Sequence, residues 1–250
     1  MKRRTRKYFR GLASVTPFNA WRLRLLRLGG VSLGRGVRVS RGTRLGEGAC
    51  IGDLVNIGPE VIVEAGVTIG NGAQIRAGSR IGGGCVLGRG VVISDFALVG
   101  NAVIGEGSFI ERNVVMTGFQ KGRISIGRHC YIGVGDILDW SGGLEIGDHV
   151  HVAGPATGIW THTSVTSALK GKEIGDYSEH LAAAVKIGDR VWIGGNSTIY
   201  PGTVIESFSV VLPNSVAKTL VRSGTVVGGT PAVLKRKLKQ EADRVTFSDI

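Results

Sequence analysis

Histidine is the side chain of this sequence best suited to proton transfer near neutral pH, since the unperturbed pKa of imidazole is about 6.5. The chain contains His129, His149, His151, His162 and His180. His162 stands out because it precedes a long segment that interrupts the repeat described below. A base at that place would remove a proton from a reacting group. An ordinary loop histidine is the alternative, and the residue types alone favour it.

A general base is usually oriented by a partner on its second ring nitrogen. Asp139 lies at a break in the repeat upstream of His162, and Asp136 occupies a repeat position that otherwise holds small residues. We predict Asp139 as the orienting carboxylate, ahead of Asp136. A turn carboxylate without a catalytic role is the alternative for each.

Metal binding is the other chemistry that clustered histidines support. His149 and His151 are close in sequence, and His129 shares the repeat position of His149. A column of outward-facing residues along one face explains this spacing better than a metal site, so the sequence predicts no metal. His180 falls within the interrupting segment, either as a lid residue or without a role.

A six-residue period organises most of the chain. Every sixth residue from Leu33 to Ile93 is aliphatic, and the residue four positions after each is small or β-branched. The period returns between interruptions and runs again from Ile187 to Val211. It fits neither an α-helix nor an alternating strand. It indicates a parallel β-helix in which each hexad forms one flat side of a coil, with many of the 41 glycines at its turns.

The repeat is broken at three places. Two short bulges cover Thr117–Ser125 and Asp139–Glu145, and a long loop covers Thr163–Val185. Loops that leave a rigid scaffold are where function concentrates, so the long loop that begins after His162 is the predicted functional region.

The hexads and three C-terminal motifs resemble the left-handed β-helix acyltransferases. The motifs are Val185–Gly194 (VKIGDRVWIG), Tyr200–Gly202 (YPG) and Val226–Ala232 (VVGGTPA). This series is similar to galactoside, maltose and polysaccharide O-acetyltransferases. The resemblance implies an all-β fold, a left-handed parallel β-helix of hexapeptide repeats, and a homotrimer that uses acetyl-CoA.

The resemblance also assigns site residues. His162 matches the family's catalytic histidine at the start of its extended loop. The cofactor-binding residues that it implies are Trp192, Gly195, Pro213, Ala217, Lys218 and Arg236. Trp192 would lie beside the acetyl and pantetheine channel, and Lys218 and Arg236 would meet the CoA phosphates. A solvated basic helix is the alternative for Lys235–Lys239.

The N-terminus is basic and partly amphipathic. Lys2–Arg10 forms a basic arm, and residues 17–28 are predicted to form a helix with Phe18, Trp21 and Leu28 on one face. This helix either caps the end of the β-helix or anchors the protein on anionic lipid. We predict capping, with the arm free to contact an anionic membrane. The predicted parts are an arm and helix at 1–30, a β-helix at 31–233 with its loop at 163–185, and a basic helical tail at 234–250.

Charge and composition limit the partners and the compartment. The net charge of +12 suits anionic partners. Nucleic acid is not expected, because no stacking aromatic residues interleave with the basic ones. Three cysteines without a CxxC spacing fit a reducing compartment, and the N-terminus lacks the apolar region of a signal peptide. We therefore expect a cytoplasmic protein, peripheral at the inner face of the membrane.

These observations and the resemblance together predict a function. We expect an O-acetyltransferase that moves acetyl from acetyl-CoA to a sugar hydroxyl, in surface polysaccharide or glycolipid biosynthesis. The alternatives are N-acetylation of a nucleotide-linked amino sugar, a γ-class carbonic anhydrase, and a β-helical scaffold without activity.

Overall fold

The computed structural model describes residues 3–119, 122–241 and 244–249. Residues 1–2 of the predicted N-terminal segment, residues 120–121 of the first predicted bulge, and residues 242–243 and 250 of the predicted tail lie outside these ranges. The chain divides into two compact units, residues 1–115 with 126–131 and residues 116–125 with 132–250. The helices are Arg3–Val15, Asn19–Leu28 and Val165–Leu169. Within the described ranges, no helix is long and apolar enough to cross a bilayer.

The first unit is a parallel β-helix, as the six-residue period predicts. Its strands pair at a spacing of three hexads, so that Leu45 is opposite Val63 and Ile51 is opposite Ile69. One sheet contains Ser32–Leu33, Cys50–Ile51, Thr68–Ile69, Val86–Leu87 and Ala102–Ile104. A second contains Arg38–Val39, Asn56–Ile57, Gln74–Ile75, Val92–Ile93 and Phe109–Ile110. A third contains Arg44–Leu45, Ile62–Val63, Arg80–Ile81 and Leu98–Val99. Three strands have residues in both units, namely Val115–Thr117, Ile124–Ile126 and Tyr131–Ile132.

The hexad positions take the structural roles that the sequence predicts. The aliphatic residue and the small residue four positions later both point inward, as Ile57 and Val61 do with no exposed surface. Every sixth residue from Gly36 to Phe96 has a positive φ, between 56° and 81°, and most of these residues are glycine. Glycine also occupies the position after the inward aliphatic residue, where neighbouring coils come too close for a side chain. A Cβ on Gly46 would lie 2.4 Å from the backbone nitrogen of the next coil.

The N-terminal helices lie against the first coils of this unit. The side chain of Asn19 bonds to the backbone of Val37 and Val39, and the Gly42 N–H donates to the carbonyl of Ser14 at 2.9 Å. Arg22 is buried, and its guanidinium donates to the carbonyl oxygens of Ala13, Thr16 and Val39. Burial, followed by the charge of Arg41, lowers the pKa of Arg22.

The predicted free basic arm is wrong for the described part of the N-terminus. Arg3–Val15 is a helix, and two of its arginines lie beside Glu47. The Arg6 Nη1 and Arg10 Nη2 atoms are 3.2 and 3.5 Å from the Glu47 carboxylate oxygens. Ala13 of this helix is fully buried, and its carbonyl accepts a hydrogen bond from the Arg22 guanidinium of the second helix, so the segment is held in place.

The second unit repeats the same construction and carries the long loop. One sheet contains Leu144–Ile146, Val185–Ile187 and Val204–Ile205, and another contains Ile137–Asp139, Gly158–Ile159, Thr198–Ile199 and Val216–Ala217. The remaining large sheet contains His151–Val152, Trp192–Ile193, Val210–Val211, Thr225–Gly228, Val233–Glu241 and Arg244–Asp249. Ile146 pairs with Ile187, so the intervening coil carries the whole loop. The loop's own strands are His162–Thr163 and Leu181–Ala182.

The predicted helical tail is also wrong, because the C-terminal segment is a β-hairpin. Val233–Glu241 pairs antiparallel with Thr225–Gly228 and with Arg244–Asp249. The last parallel strand of a β-helix has an unpaired edge, and the hairpin covers it. The hydrogen-bonding demand of that edge outweighs the helical propensity of the Lys- and Arg-rich segment.

Candidate active site

His162 lies at the base of the long loop, on backbone held from both sides. Its neighbour Trp160 donates its N–H to the Ile199 carbonyl of the next coil at 2.9 Å. The Ala183 N–H donates to the Thr161 carbonyl at 2.9 Å, which ties the two ends of the loop together. His162 therefore projects from a fixed position rather than from a free loop.

Asp139 is brought into direct contact with His162. The His162 Nδ1 atom is 2.6 Å from Asp139 Oδ2. Asp139 is fully buried, and its other hydrogen bonds are also short. Oδ1 accepts from the Ser141 N–H at 2.9 Å and the Ser141 hydroxyl at 2.6 Å. Oδ2 also accepts from the Thr161 N–H and the Thr161 hydroxyl, both at 2.8 Å.

These hydrogen bonds set the protonation of the pair. Burial raises the pKa of Asp139, but the bonds donated by Ser141, His162 and Thr161 together outweigh it and hold the pKa below its usual range. An ionised carboxylate only accepts hydrogen bonds, so the proton between the two side chains belongs to Nδ1. With this proton on Nδ1, Nε2 is the ring nitrogen left to accept a proton from a reacting group.

An open cavity of about 210 Å³ lies beside the imidazole. It is lined by Trp160, His162, Thr163, Thr198, Tyr200 and Pro201. A hydroxyl group in this cavity would be within reach of the His162 imidazole. The arrangement can therefore take a proton from an alcohol.

Aromatic rings from two other segments surround His162. The Phe119 ring packs edge-on against the imidazole at 4.5 Å between centroids, and it stacks on Tyr177 at 4.8 Å. His180 is parallel to His162, with 6.1 Å between ring centroids. The sequence analysis missed Phe119 and Tyr177. The available signals were the position of Phe119 in a predicted bulge and that of Tyr177 in the predicted functional loop.

Asp136, the second candidate carboxylate, bonds to backbone. Its two oxygens accept from the Gly133 N–H and the Thr157 N–H, each at 2.8 Å. It is fully buried, and burial raises its pKa to about 7 despite these two bonds, which lower it. Asp136 therefore links the backbone of neighbouring coils.

Asp136 should make stability depend on pH. Its pKa is raised from 3.8 to about 7 in the folded protein, so the unfolded chain loses this proton at lower pH. The free energy of unfolding therefore falls as pH rises from about 4 to about 7, by at most about 1.4 kcal/mol per pH unit from this group. We expect Asp136→Asn to flatten that slope in urea unfolding across this range. An identical slope in wild type and variant would contradict the raised pKa.

The residues predicted to bind the cofactor fall into two groups. Trp192 and Arg236 line one cavity of about 740 Å³, to which Lys235 and Phe247 of the C-terminal hairpin also contribute. The remaining walls are Val210, Leu212 and Val226. A long ligand with an apolar middle and an anionic end fits such a lining.

The other four predicted residues lie outside the lining of that cavity. A Cβ on Gly195 would lie 2.7 Å from the Gly154 carbonyl oxygen, so the position requires glycine. Pro213 is exposed and packs over Gly194, whereas the Ala217 side chain is buried. Lys218 is exposed. The structure thus joins Trp192 with Arg236 but does not place these four residues in the same cavity.

His129 and His149 occupy turns, and His151 lies on a strand that is paired on both sides. His129 and His149 have φ of 54° and 56° at the corners of coils. His151 is opposite Trp192 in the sheet, and burial lowers its pKa. Over the part of the chain that the structure describes, no three His, Cys, Asp or Glu residues are grouped to hold a metal ion.

Comparison with known proteins gives related sequences and a related fold. The family model described as bacterial transferase hexapeptide (six repeats) matches residues 66–101, and the one described as hexapeptide repeat of succinyl-transferase matches residues 184–216. Escherichia coli (strain K12) WbbJ, which is named as an O-acetyl transferase of lipopolysaccharide biosynthesis, is 30% identical over 150 residues, covering 49% of this chain and 76% of WbbJ. Galactoside O-acetyltransferase from the same organism is 27% identical over 148 residues, covering 59% of this chain and 70% of the relative.

A solved structure shows the same fold. The solved structure of Francisella novicida UDP-N-acetylglucosamine acyltransferase superimposes with a TM-score of 0.63 at 16% identity, covering 79% of this chain and 68% of that one. The hexad repeat is visible in the structure as the pairing of every third strand. WbbJ is 30% identical and is covered over 76% of its length. The chain belongs to the hexapeptide-repeat acyltransferase family.

Proposed function

We propose that this acyltransferase moves acetyl from acetyl-CoA to a hydroxyl group of a sugar. The hydrogen bond between His162 and the buried, ionised Asp139 carries the proposal. It leaves Nε2 as a base beside an open cavity, which is what activation of an alcohol requires. Two relatives are named for O-acetyl transfer, one to a galactoside and one in lipopolysaccharide biosynthesis, and both names support a sugar acceptor in surface glycan synthesis.

The transfer follows from the protonation state of the ring. His162 Nε2 accepts the hydroxyl proton as the sugar oxygen attacks the thioester carbonyl and the new C–O bond forms. The Asp139 carboxylate stabilises the imidazolium that results. When the C–S bond breaks, the departing sulfur takes the proton from Nε2, so the ring returns to its starting state. The leaving group is a thiolate, and no covalent enzyme intermediate is needed.

Release of free thiol from acetyl-CoA tests the proposal. The purified protein is incubated with methyl glycosides that carry only hydroxyl groups and, separately, with amino sugars. We expect thiol release that depends on a hydroxyl-only glycoside. Release with amino sugars alone would replace the proposal with N-acetylation.

The cavity lined by Trp192 and Arg236 is the proposed site for acetyl-CoA. Its apolar walls suit the pantetheine arm, and Lys235 and Arg236 provide positive charge for phosphates. Lys218 is proposed as a further phosphate contact. Gly195, Pro213 and Ala217 are proposed along the pantetheine, as the family resemblance implies. Each site would be completed in a homotrimer, which that resemblance also implies.

Removing the phosphate contacts should weaken acetyl-CoA binding more than turnover. We expect Lys218→Ala and Arg236→Ala to raise KM for acetyl-CoA about tenfold, the scale of a charge-assisted hydrogen bond, with a smaller change in kcat. Arg112→Ala, an exposed arginine of the first unit, is the matched control. Steady-state kinetics with acetyl-CoA varied gives both constants. Equal KM values in wild type and both variants would contradict the assignment.

The N-terminal helices form a proposed contact surface for anionic lipid. Tyr8, Phe18 and Trp21 are 67%, 69% and 65% exposed, so the two helices leave three large aromatic side chains uncovered. Arg4 and Lys7 are exposed on the same helical segment, and neither helix contains an acidic residue. Aromatic rings at the interface with flanking basic residues are typical of peripheral binding to the inner, anionic leaflet.

Binding to vesicles tests this surface. We expect a double variant, Phe18→Ala with Trp21→Ala, to lose most of its binding to phosphatidylcholine vesicles that contain phosphatidylglycerol. Binding of the wild type should fall with added salt and on pure phosphatidylcholine, because each basic residue contributes about 1 kcal/mol near an anionic surface. Phe96→Asn replaces a similarly exposed aromatic residue outside the helices and serves as the control. Equal sedimentation of both variants with the vesicles would remove the proposal.

A further inference from the structure

A second cavity lies within the long loop, next to the aromatic rings around His162. Its volume is about 280 Å³, at the small end of ligand pockets. Its walls include Ser167, Lys172, Asp176, Tyr177 and His180. We refer to it as the loop cavity. None of its lining residues was assigned to the acetyl transfer described above.

Two residues that line the loop cavity each carry a buried polar atom without a described partner. Ser167 Oγ and His180 Nδ1 make no hydrogen bond to any residue that the structure describes. Ser167 is only 7% exposed. Unpaired buried polar atoms are rare in folded proteins, and two on the lining residues of one cavity point to a ligand that supplies hydrogen bonds once these side chains turn toward it. A hydroxyl-rich ligand can donate to one atom and accept from the other.

The charges around the loop cavity argue against an anionic ligand. Lys172 forms an ion pair with Asp176, with 3.5 Å between the nitrogen and the carboxylate oxygen. Glu173 also lines the cavity. Among the described lining residues, Lys172 is the one lysine or arginine, so two carboxylates face one such cation. A phosphate group would therefore meet net negative charge, so the cavity does not suit CoA.

Aromatic surface connects the loop cavity with the catalytic histidine. Tyr177 is 53% exposed and stacks on Phe119, which packs against His162. His180 lies in the wall of the cavity and is 6.1 Å from His162 between ring centroids. The negative face of an aromatic ring attracts the polarised C–H groups of a pyranose. One sugar ring at Tyr177 and another at His162 would be neighbours.

We propose that the loop cavity binds a second sugar unit of the acceptor, so that the acceptor is at least a disaccharide. The inference rests on the proposed sugar acetylation. Ser167 and His180 would bond to hydroxyl groups of that unit, and Tyr177 would stack on its ring. The cavity beside His162 would hold the unit that receives the acetyl group.

The test compares two acceptors that carry the same acetylated unit. One is the monosaccharide methyl glycoside identified by thiol release, and the other is the methyl glycoside of a disaccharide ending in that unit. We expect kcat/KM for the disaccharide to exceed that for the monosaccharide about tenfold, which is the contribution of one or two hydrogen bonds. Ser167→Ala and Tyr177→Ala should each lower this ratio several-fold. Tyr177→Phe keeps the ring and should retain most of it.

Controls separate the inference from the proposed function. Leu169→Ala, at an exposed position of the same loop, should keep the wild-type ratio. Thermal melting checks that every variant is folded. Acetylation of both acceptors with equal kcat/KM, or a ratio unaffected by Ser167→Ala and Tyr177→Ala, would overturn the inference and leave sugar acetylation intact. Absence of acetylation of any sugar would instead contradict the proposed function, and the inference with it.

Discussion

Replacing His162 with alanine is expected to lower kcat at least about 10²-fold, the usual contribution of a general base. The loss falls on kcat because Nε2 takes its proton only as the acceptor hydroxyl attacks. KM for acetyl-CoA should change little, since Trp192 and Arg236 line a different cavity. Steady-state thiol release with saturating acceptor measures both constants.

The control for this substitution is another histidine. His149 is exposed at a left-handed turn, where asparagine is tolerated, so His149→Asn should keep wild-type turnover. Near-normal kcat in folded His162→Ala would show that the imidazole is not the base. The proton would then have to leave by another route.

Replacing Asp139 with asparagine is expected to have an effect of similar size, a fall in kcat of about 10²-fold or more. The amide removes the charge that stabilises the imidazolium of His162. Its nitrogen also faces donors on either side, because Ser141 and Thr161 donate to the two carboxylate oxygens. Asp139 acts through His162 as a positioning residue, so KM for acetyl-CoA should again stay near its wild-type value.

Ser141→Ala provides a graded comparison for Asp139→Asn. It removes one hydrogen bond to Oδ1 but leaves the carboxylate and its contact with His162. We expect a loss in kcat of less than about tenfold. If Ser141→Ala and Asp139→Asn lowered kcat equally, local packing rather than the charge on Asp139 would explain the loss.

The hexad pattern carries most of the information about this fold. The inward positions and the left-handed turns repeat with the same period, so a single rule predicts both Ile57 and Gly48. The contact between Asp139 and His162 also follows from the repeat. Asp139 directly follows Leu138, which pairs with Ile159 in the neighbouring coil, and His162 comes three residues after Ile159.

The departures from prediction depend on contacts that no local pattern contains. The local sequence of Val233–Glu241 predicts a basic helix. The segment is a strand because it pairs with the otherwise unpaired edge of Thr225–Gly228. Phe119 and Tyr177 are far apart in the sequence and meet only where a bulge and the long loop converge on His162. Side-chain packing between separate loops is the part of the site that the repeat does not encode.

The most direct test of the account is the bond formed on the product. Purified protein is incubated with acetyl-CoA labelled at the acetyl carbonyl and with the sugar acceptor, and the product is analysed by carbon NMR and mass spectrometry. The account predicts a labelled ester on a sugar oxygen with wild type, and at least about 10²-fold slower formation of that ester with His162→Ala. A labelled amide as the sole product, or equal rates of ester formation in the two proteins, would contradict it.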